Sequence, residues 1–362
     1  MKTAPPQHTA IDLFSGCGGL TRGLKEAGFG VVGAVELDEV AAKTYRLNHP
    51  EVDLLSQDIR AVQPRKWMKQ LRLKSGDLDL LAGCPPCQGY STLRTKNGGK
   101  RNRDGRNPLV REMLRFTRVL KPKAVMMENV PGLLGKTALL DLQTGLEQIG
   151  YEVQCNVRDA QFYGVPQRRR RLILLAGRGF EIPFAQARRN CLTVRKALAG
   201  LKRVRTSGDK LHDFPERRDP EIQKLISQIP INGGSRLDLG TANQLRCHKN
   251  CDGFKDVYGR MAWNEKAPTI TSGCFNPSKG RFLHPRSNRC ITMREAAILQ
   301  GFPRRYKFDS GAGKQAVALM IGNALPPEFI RRHAKKIRKA IESHCDSRRK
   351  NVHARHREKA AR

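Results

Sequence analysis

No apolar run in this sequence reaches the length of a bilayer span, and Met1 to Thr9 carries no apolar leader-like region. Both absences argue against a helical membrane protein and lead us to expect a cytoplasmic chain. The ten cysteines follow no framework spacing, so free thiols in a reducing compartment are expected rather than a disulfide-stapled secreted fold. Cys247-His248 and Cys251 lie close together, but no second CxxC or HxxxH pair supplies the other half of a zinc site, and no metal is expected. No internal repeat is visible. Acidic residues are scarce: 33 Asp and Glu stand against 68 Lys and Arg, a formal charge of +35. So large an excess implies a polyanionic partner, most simply nucleic acid, bound with strong salt dependence. A membrane-surface role would need a basic helix with an apolar face, and the basic C-terminal stretch lacks one over most of its length.

At 362 residues the chain can bury one large domain and a smaller one. Thr9 to Phe14 reads as a strand, Ser15-Gly16-Cys17-Gly18-Gly19 as a tight glycine turn, and Leu20 to Ala27 as a helix stopping at Gly28. Such a unit can cradle a nucleotide-like ligand, because glycine lets backbone approach closely and helix N–H groups face it. The turn lacks the full dinucleotide pattern and a Walker lysine, so neither NAD nor ATP is favoured. The next strand, Val31 to Val35, ends at Glu36-Leu37-Asp38. That is roughly 20 residues past the turn, where an α/β nucleotide site holds a carboxylate for ribose hydroxyls. Glu36 suits that role, whereas Asp38 suits the N-cap of a helix from Glu39 to Leu47. Asp58 fits either a turn or an acceptor for an exocyclic amine.

Leu78 to Ala82 reads as a buried strand, followed by Gly83-Cys84-Pro85-Pro86-Cys87-Gln88-Gly89. Two prolines stiffen a loop that holds Cys87 where open α/β sheets bind ligands. A nucleophile, a thiol–disulfide pair and half a metal site all remain open for it. Helices over 108–120 and 136–148, and strands at 123–127, 151–157 and 172–176, continue the alternation. Glu128 stands at one strand's carboxyl end, before a Pro-Gly turn. Arg168 to Arg171 abut another strand, with Arg169 and Arg171 on one face, placed to meet an anion or a base edge. The alternation over 9–176 predicts an α/β fold with a doubly wound, mostly parallel sheet. Residues 180–288 read as an irregular insertion, 292–300 and 315–321 as helices, and 347–362 as a disordered basic tail.

The blocks, in order, resemble the bacterial DNA cytosine-5 methyltransferases. They are Asp12 to Gly19, Glu36-Leu37-Asp38, Gln57-Asp58-Ile59, Gly83 to Gly89, Glu128 to Gly132, Tyr163 to Arg171, Arg294 to Pro303 and Ile321 to Pro326. The resemblance covers about 9–176 and 289–330. It implies a class I S-adenosylmethionine-dependent methyltransferase fold in four parts. These are a catalytic part over 1–179, a target-recognition domain over 180–288, a returning catalytic part over 289–345 and a tail over 346–362. Cys87 is then the nucleophile that adds to cytosine C6, and Glu128 the carboxyl that holds or supplies a proton at N3. Arg169 and Arg171 stabilise charge near O2 and help hold the Cys87 loop, and Cys84 is structural. Phe14 stacks on adenine, and the backbone of Ser15, Gly16, Gly18 and Gly19 follows the methionine part. Glu36 takes the ribose, Asp58 the adenine amine and Asn323 the methionine end; Pro86 belongs to the same cofactor set. The chain departs from the family pattern only by the extra Arg168 and Arg170 and by Asn-Ala-Leu-Pro at 323–326.

The implied substrate is double-stranded DNA with its cytosine everted into the pocket. Arg94, Lys96, Lys100, Arg101 and Arg103 would close over phosphates, and Arg, Asn and Gln within 230–288 would read bases. The implied enzyme is a metal-free monomer that protects host DNA beside a restriction endonuclease it does not touch, or acts as a solitary methylase. An RNA cytosine-5 methyltransferase and a non-catalytic DNA-binding regulator are the alternatives. An amino-group methyltransferase is disfavoured by Pro-Pro-Cys.

Overall fold

A computed structural model describes residues 7–86, 109–240 and 256–360, with side chains described as far as Lys350. Cys87, the 88–106 stretch and Cys247, His248 and Cys251 lie outside the described residues.

Seven strands form one sheet: β1 (Thr9–Leu13), β2 (Gly30–Glu36), β3 (Asp53–Ser56), β4 (Leu80–Gly83), β5 (Ala124–Asn129), β6 (Tyr151–Asp159) and β7 (Arg170–Arg178). Their spatial order is β3-β2-β1-β4-β5-β7-β6. β1 to β5 pair in parallel, and β7 runs antiparallel to both β5 and β6. β4 and β5 are buried at every residue, which explains why their sequences are nearly continuous apolar runs rather than alternating ones. The order reverses between β1 and β4, so the crevice for ligands opens at their carboxyl ends.

The helices among the described residues are α1 (Gly19–Glu26), α2 (Glu39–Asn48), α3 (Pro64–Gln70), α4 (Leu109–Leu120), α5 (Thr137–Glu147), α6 (Val194–Leu198), α7 (Lys210–Asp213), α8 (Pro220–Gln228) and α9 (Met293–Leu299). Two more follow, α10 (Gly313–Asn323) and α11 (Pro327–Ala360). The local causes are plain in the sequence. The α4 residues Val110, Met113, Phe116, Thr117 and Leu120 recur at helical spacing, and all are buried. Asp38 caps α2 by accepting from the Ala41 N–H. Thr292 and Glu295 form a reciprocal capping box that starts α9.

The buried side chains form three clusters. One covers the sheet face under α1 and α11, with Leu24, Phe329 and Ile337; another covers the opposite face, with Trp67, Phe116 and Leu142. Each such side chain, fully buried, contributes roughly 1.5–3 kcal/mol. The third cluster joins Val194, Leu225, Met261 and Leu283 to Met293, Leu299, Phe302 and Ile321.

Residues 290–321 share a core with the inserted stretch and also with Cys17 and Ala41 of the first part, and the Tyr306 hydroxyl donates to the Cys17 carbonyl at 2.7 Å. Every α9 residue is buried there. Two expectations change. The stretch 180–288 is not wholly irregular, since α6, α7 and α8 lie in it; none exceeds nine residues, too short for a strong periodic signal. The tail expected to be disordered continues α11 as helix to Ala360. It contains no Gly or Pro before that point, and an established helix propagates more easily than a new one nucleates.

Candidate active site

The site is built where β1, β2, β4 and β5 end. After β1 the backbone turns through three left-handed residues: Phe14 at φ 63°, Gly16 at 55° and Gly18 at 93°. A non-glycine in that region is strained, and Phe14 is held there half-buried against the sheet's lower core. Gly18 also leaves no room for a side chain, because a Cβ would lie 2.6 Å from the Tyr306 hydroxyl. At Gly16 a Cβ would meet nothing within 4 Å, so the turn presents bare backbone to open space there. Ser15 is buried, and its hydroxyl donates to the Val35 carbonyl at 3.3 Å, tying the turn to β2. Gly19 packs under the Leu325 carbonyl.

Glu36, at the tip of β2, locks this turn. Its Oε2 accepts the Gly16 N–H at 2.7 Å and its Oε1 the Asp38 N–H at 2.8 Å. Burial raises its pKa, and those N–H groups oppose the rise. Asp58 lies farther along the same edge. Both its oxygens are engaged by the Arg60 guanidinium, which lowers its pKa. Asn323 is exposed at the end of α10. An open glycine backbone with a half-buried carboxylate behind it fits the amino-acid and ribose portions of a nucleoside-linked methionine. Asp58 would have to share or release Arg60 to reach an adenine amine.

The second half of the site centres on Glu128, 3% exposed at the end of β5. Its Oε2 accepts a hydrogen bond from the Cys84 thiol at 2.9 Å. The Arg171 Nε lies 2.9 Å from its Oε1, as an ion pair off the line of a hydrogen bond, so that oxygen keeps an unfilled acceptor position. Burial, then the Glu128 charge, pushes the Cys84 thiol well above its ordinary range. Cys84 is therefore a neutral donor here and a poor nucleophile. Next to Glu128, the Asn129 amide donates to the Pro85 carbonyl at 3.0 Å, fixing the loop one residue before Pro86.

Arg169 and Arg171 share a face as their spacing requires, but their partners differ. The Arg169 guanidinium is 2% exposed and donates to the carbonyls of Ile270 at 3.0 Å, Gly322 at 3.0 Å and Ala324 at 3.2 Å. Burial, then Arg171, disfavours its charge. Gln167 extends this brace: its amide donates to the Leu299 carbonyl and the Gln300 side chain, and its oxygen accepts the Ile270 N–H. Arg171 lies against Glu128, and Arg169, behind it, ties β7, the inserted stretch and the end of α10 together.

These side chains come together as two clusters on one sheet edge. Phe14, Ser15, Gly16, Gly18, Gly19 and Glu36 make one; Glu128, Arg171, Cys84 and the Pro85-Pro86 backbone make the other. Sequence reasoning misses Asn129, Gln167 and Gln300, although each stands inside a family-like block that could have pointed to it. An arrangement of this kind can hold a methyl donor beside a buried acid and a cationic clamp. The profile of the C-5 cytosine-specific DNA methylase family matches residues 8–339. The chain belongs to that family. The type II methylase M.HgiDII of Herpetosiphon aurantiacus is 35% identical over 358 residues, covering 92% of this chain and 95% of its own. The type II methyltransferase M1.HphI of Haemophilus parahaemolyticus is 32% identical over 327 residues, covering 88% and 83%. Among solved structures, a prophage-encoded E. coli protein described as a DNA modification methyltransferase superposes with a TM-score of 0.68 at 24% identity. It covers 93% of this chain and all of its own, and supports the fold. As a cytosine-specific DNA methylase the chain acts on DNA, and the class I methyltransferase fold expected from its sequence is the one observed. No helix among its described residues is long and apolar enough to cross a membrane.

Proposed function

We propose that this methylase everts a cytosine from duplex DNA and methylates it at C5, as the modification enzyme of a type II restriction–modification system. When bound, S-adenosylmethionine supplies an electrophilic methyl group. Phe14, Glu36 and the Ser15 to Gly19 backbone would hold it, with Asn323 and Pro86 at its methionine side and Asp58 at its adenine.

Cytosine C5 is a poor nucleophile, and the chain's task is to make it a better one. The Cys87 thiolate adds to C6, forming an S–C6 bond while the C5=C6 electron pair moves toward N3. The Glu128 carboxyl, with the cytosine bound, shares a proton with N3 and holds it there as the ring gains charge, which leaves C5 enamine-like. Arg171 faces that carboxyl and the charge near O2. After methylation, loss of the C5 proton expels the thiolate and restores the ring. A positioned acid of this kind is worth about 10²–10⁴ in rate. Eversion of the base costs a few kcal/mol, offset by contacts to the +35 chain.

The observation that carries this reading is the buried Glu128 carboxyl: one oxygen fixed by Cys84, the other beside Arg171 with an acceptor position open. The inserted stretch is the region we assign to target recognition. We assign the protein to the cytoplasm, as a monomer with no metal and no direct contact to the paired endonuclease. The test is methylation of plasmid DNA followed by bisulfite sequencing. Protected cytosines within one short motif, absent for Cys87→Ala, support the assignment. Methyl groups found only on amino nitrogens, or only in RNA, overturn it.

A further inference from the structure

The helix α11 crosses the whole molecule. Its 34 residues make a rod about 50 Å long. It begins at the active-site edge, where Pro327 packs on Gly23 and Leu325, two residues before the helix, packs on Gly19. Phe329, Ile330, Ala334, Ile337 and Ile341 then bury one stripe against the sheet. At its far end Glu342 reaches His8, the residue before β1, at 3.1 Å. His344 stacks on Phe180, just beyond β7, at a ring separation of 4.6 Å. β7 ends where β5 begins, since Gly177 pairs with Ala124. Both contacts therefore lie at the edge opposite the active site.

From there the helix continues past its packed stripe. Asp346 to Lys350 are all exposed, and the helix runs to Ala360. Residues 346–360 carry six Lys and Arg against two acids, and only Val352, Ala354 and Ala360 are apolar. On the inner side Lys336, Lys339, Ser343 and Ser347 line a groove of about 410 Å³ that continues the same face toward the body, with Glu181 the one acid in its lining. An extension with so little apolar surface has nothing to insert into a bilayer. Its charge suits a regular polyanion, and DNA presents about one negative charge per 1.7 Å of axis.

We propose that this extension is a second duplex-binding surface, on the edge opposite the catalytic cleft, which grips the phosphates of a DNA segment other than the one being methylated. The proposal takes duplex DNA as the partner from the methylase reading and goes beyond it in placing a second segment. It makes the enzyme able to bridge two segments or to pass between them.

The test compares the full chain with two variants: one truncated after Cys345, and a full-length R348E/R349E/K350E. Beads carrying a short duplex with the target motif are saturated with protein and offered a labelled duplex lacking that motif. The full chain should capture the second duplex, and capture should weaken steeply between about 50 and 200 mM salt, on the order of what a multi-phosphate contact loses. Both variants should lose capture about tenfold or more, while kcat and KM on the short target duplex change less than about twofold. Unchanged melting temperatures confirm that the variants are folded. No capture by the full chain overturns the proposal. So do a tenfold rise in KM on the short duplex with capture intact, and binding to phosphatidylserine vesicles without binding to the second duplex. Methylation of the short duplex, read in the same samples, separates failure of this proposal from failure of the enzymatic reading.

Discussion

Replacing Arg169 by alanine should unfold the enzyme before it disables the chemistry, and replacing Arg171 should do the reverse. The Arg169 fork makes three hydrogen bonds of 3.0, 3.0 and 3.2 Å to buried carbonyls on two separate segments. Hydrogen bonds to a charged group contribute about 1.5–3 kcal/mol each, but three that share one head group do not add fully. Water entering the vacated space recovers part of the loss. A net cost of about 3–5 kcal/mol results, in the range for breaking a buried charged network. In a chain of this size that lowers Tm by about 4–7 °C. Arg169→Lys keeps the charge but loses the fork, and should fall in between. Arg171 makes one ion pair, 2.9 Å from Glu128, with its side chain 15% exposed. Arg171→Ala should shift Tm by no more than about 1–2 °C and reduce turnover about 10²–10³-fold, as for loss of one charge-stabilising donor. Scanning calorimetry and single-turnover methylation of the same preparations decide the matter. An Arg169→Ala enzyme that melts like wild type yet does not turn over would refute the reasoning, because the bracing role would then be absent.

Asp12 gives a pH test. Burial pushes its carboxyl from the ordinary 3.8 up to about 7, against the hydrogen bond from the Thr21 hydroxyl. Its folded pKa exceeds its unfolded one, so stability falls as pH rises from about 4 to about 7 and is flat above. Asp12→Asn should therefore be more stable than wild type at about pH 8.5, on the order of 2–4 kcal/mol, with the gap closing near pH 4 in thermal melts. Gly322→Ala would put a Cβ 2.2 Å from the Ser272 backbone nitrogen, so the end of α10 must shift and carry Asn323 with it. Titration calorimetry should show cofactor binding weakened about tenfold or more, because a misplaced contact residue is costly even at small displacements. Cys84→Ala removes the donor on Glu128 and should slow turnover roughly tenfold, about the worth of one hydrogen bond to a charged group, while Cys84→Ser restores most of it. A Cys84→Ala enzyme as inactive as Cys87→Ala would instead indicate a two-thiol mechanism.

Much of the site is legible in the sequence because its chemistry needs particular residue types at strand ends. β1, β2, β4 and β5 are short buried runs, and each leads into a loop or turn that carries a glycine, a proline pair or a carboxylate. Glu36 and Asp38 separate as their positions suggest: one locks the glycine turn and the other caps α2. Sequence and structure part where contacts are distant along the chain. Arg169 and Arg171 look equivalent at period 2, but what each guanidinium touches is set by carbonyls 101 and 153 residues away and by a carboxylate on another strand. Cys84 reads as structural because nothing local shows that β4 and β5, pairing in parallel, bring it against Glu128. The family-like block at 294–303 packs against both the insertion and the glycine turn, with Phe302 against Gly19, a pairing no local pattern shows. The basic tail reads as disordered because it has few apolar groups. That removes a packing face but does not stop a helix already started at Pro327.

The most direct measurement is covalent capture on duplex DNA bearing 5-fluorocytosine at the target position, with S-adenosylmethionine present. Fluorine at C5 cannot leave as a proton does, so the thiolate stays bonded to C6. The account predicts a denaturation-resistant protein–DNA adduct whose modified peptide contains Cys87. Formation should be abolished in Cys87→Ala, retained in Cys84→Ala and slowed about 10²-fold or more in Glu128→Gln. An adduct mapped to any other residue, or one formed at the wild-type rate without the Glu128 carboxyl, would contradict it.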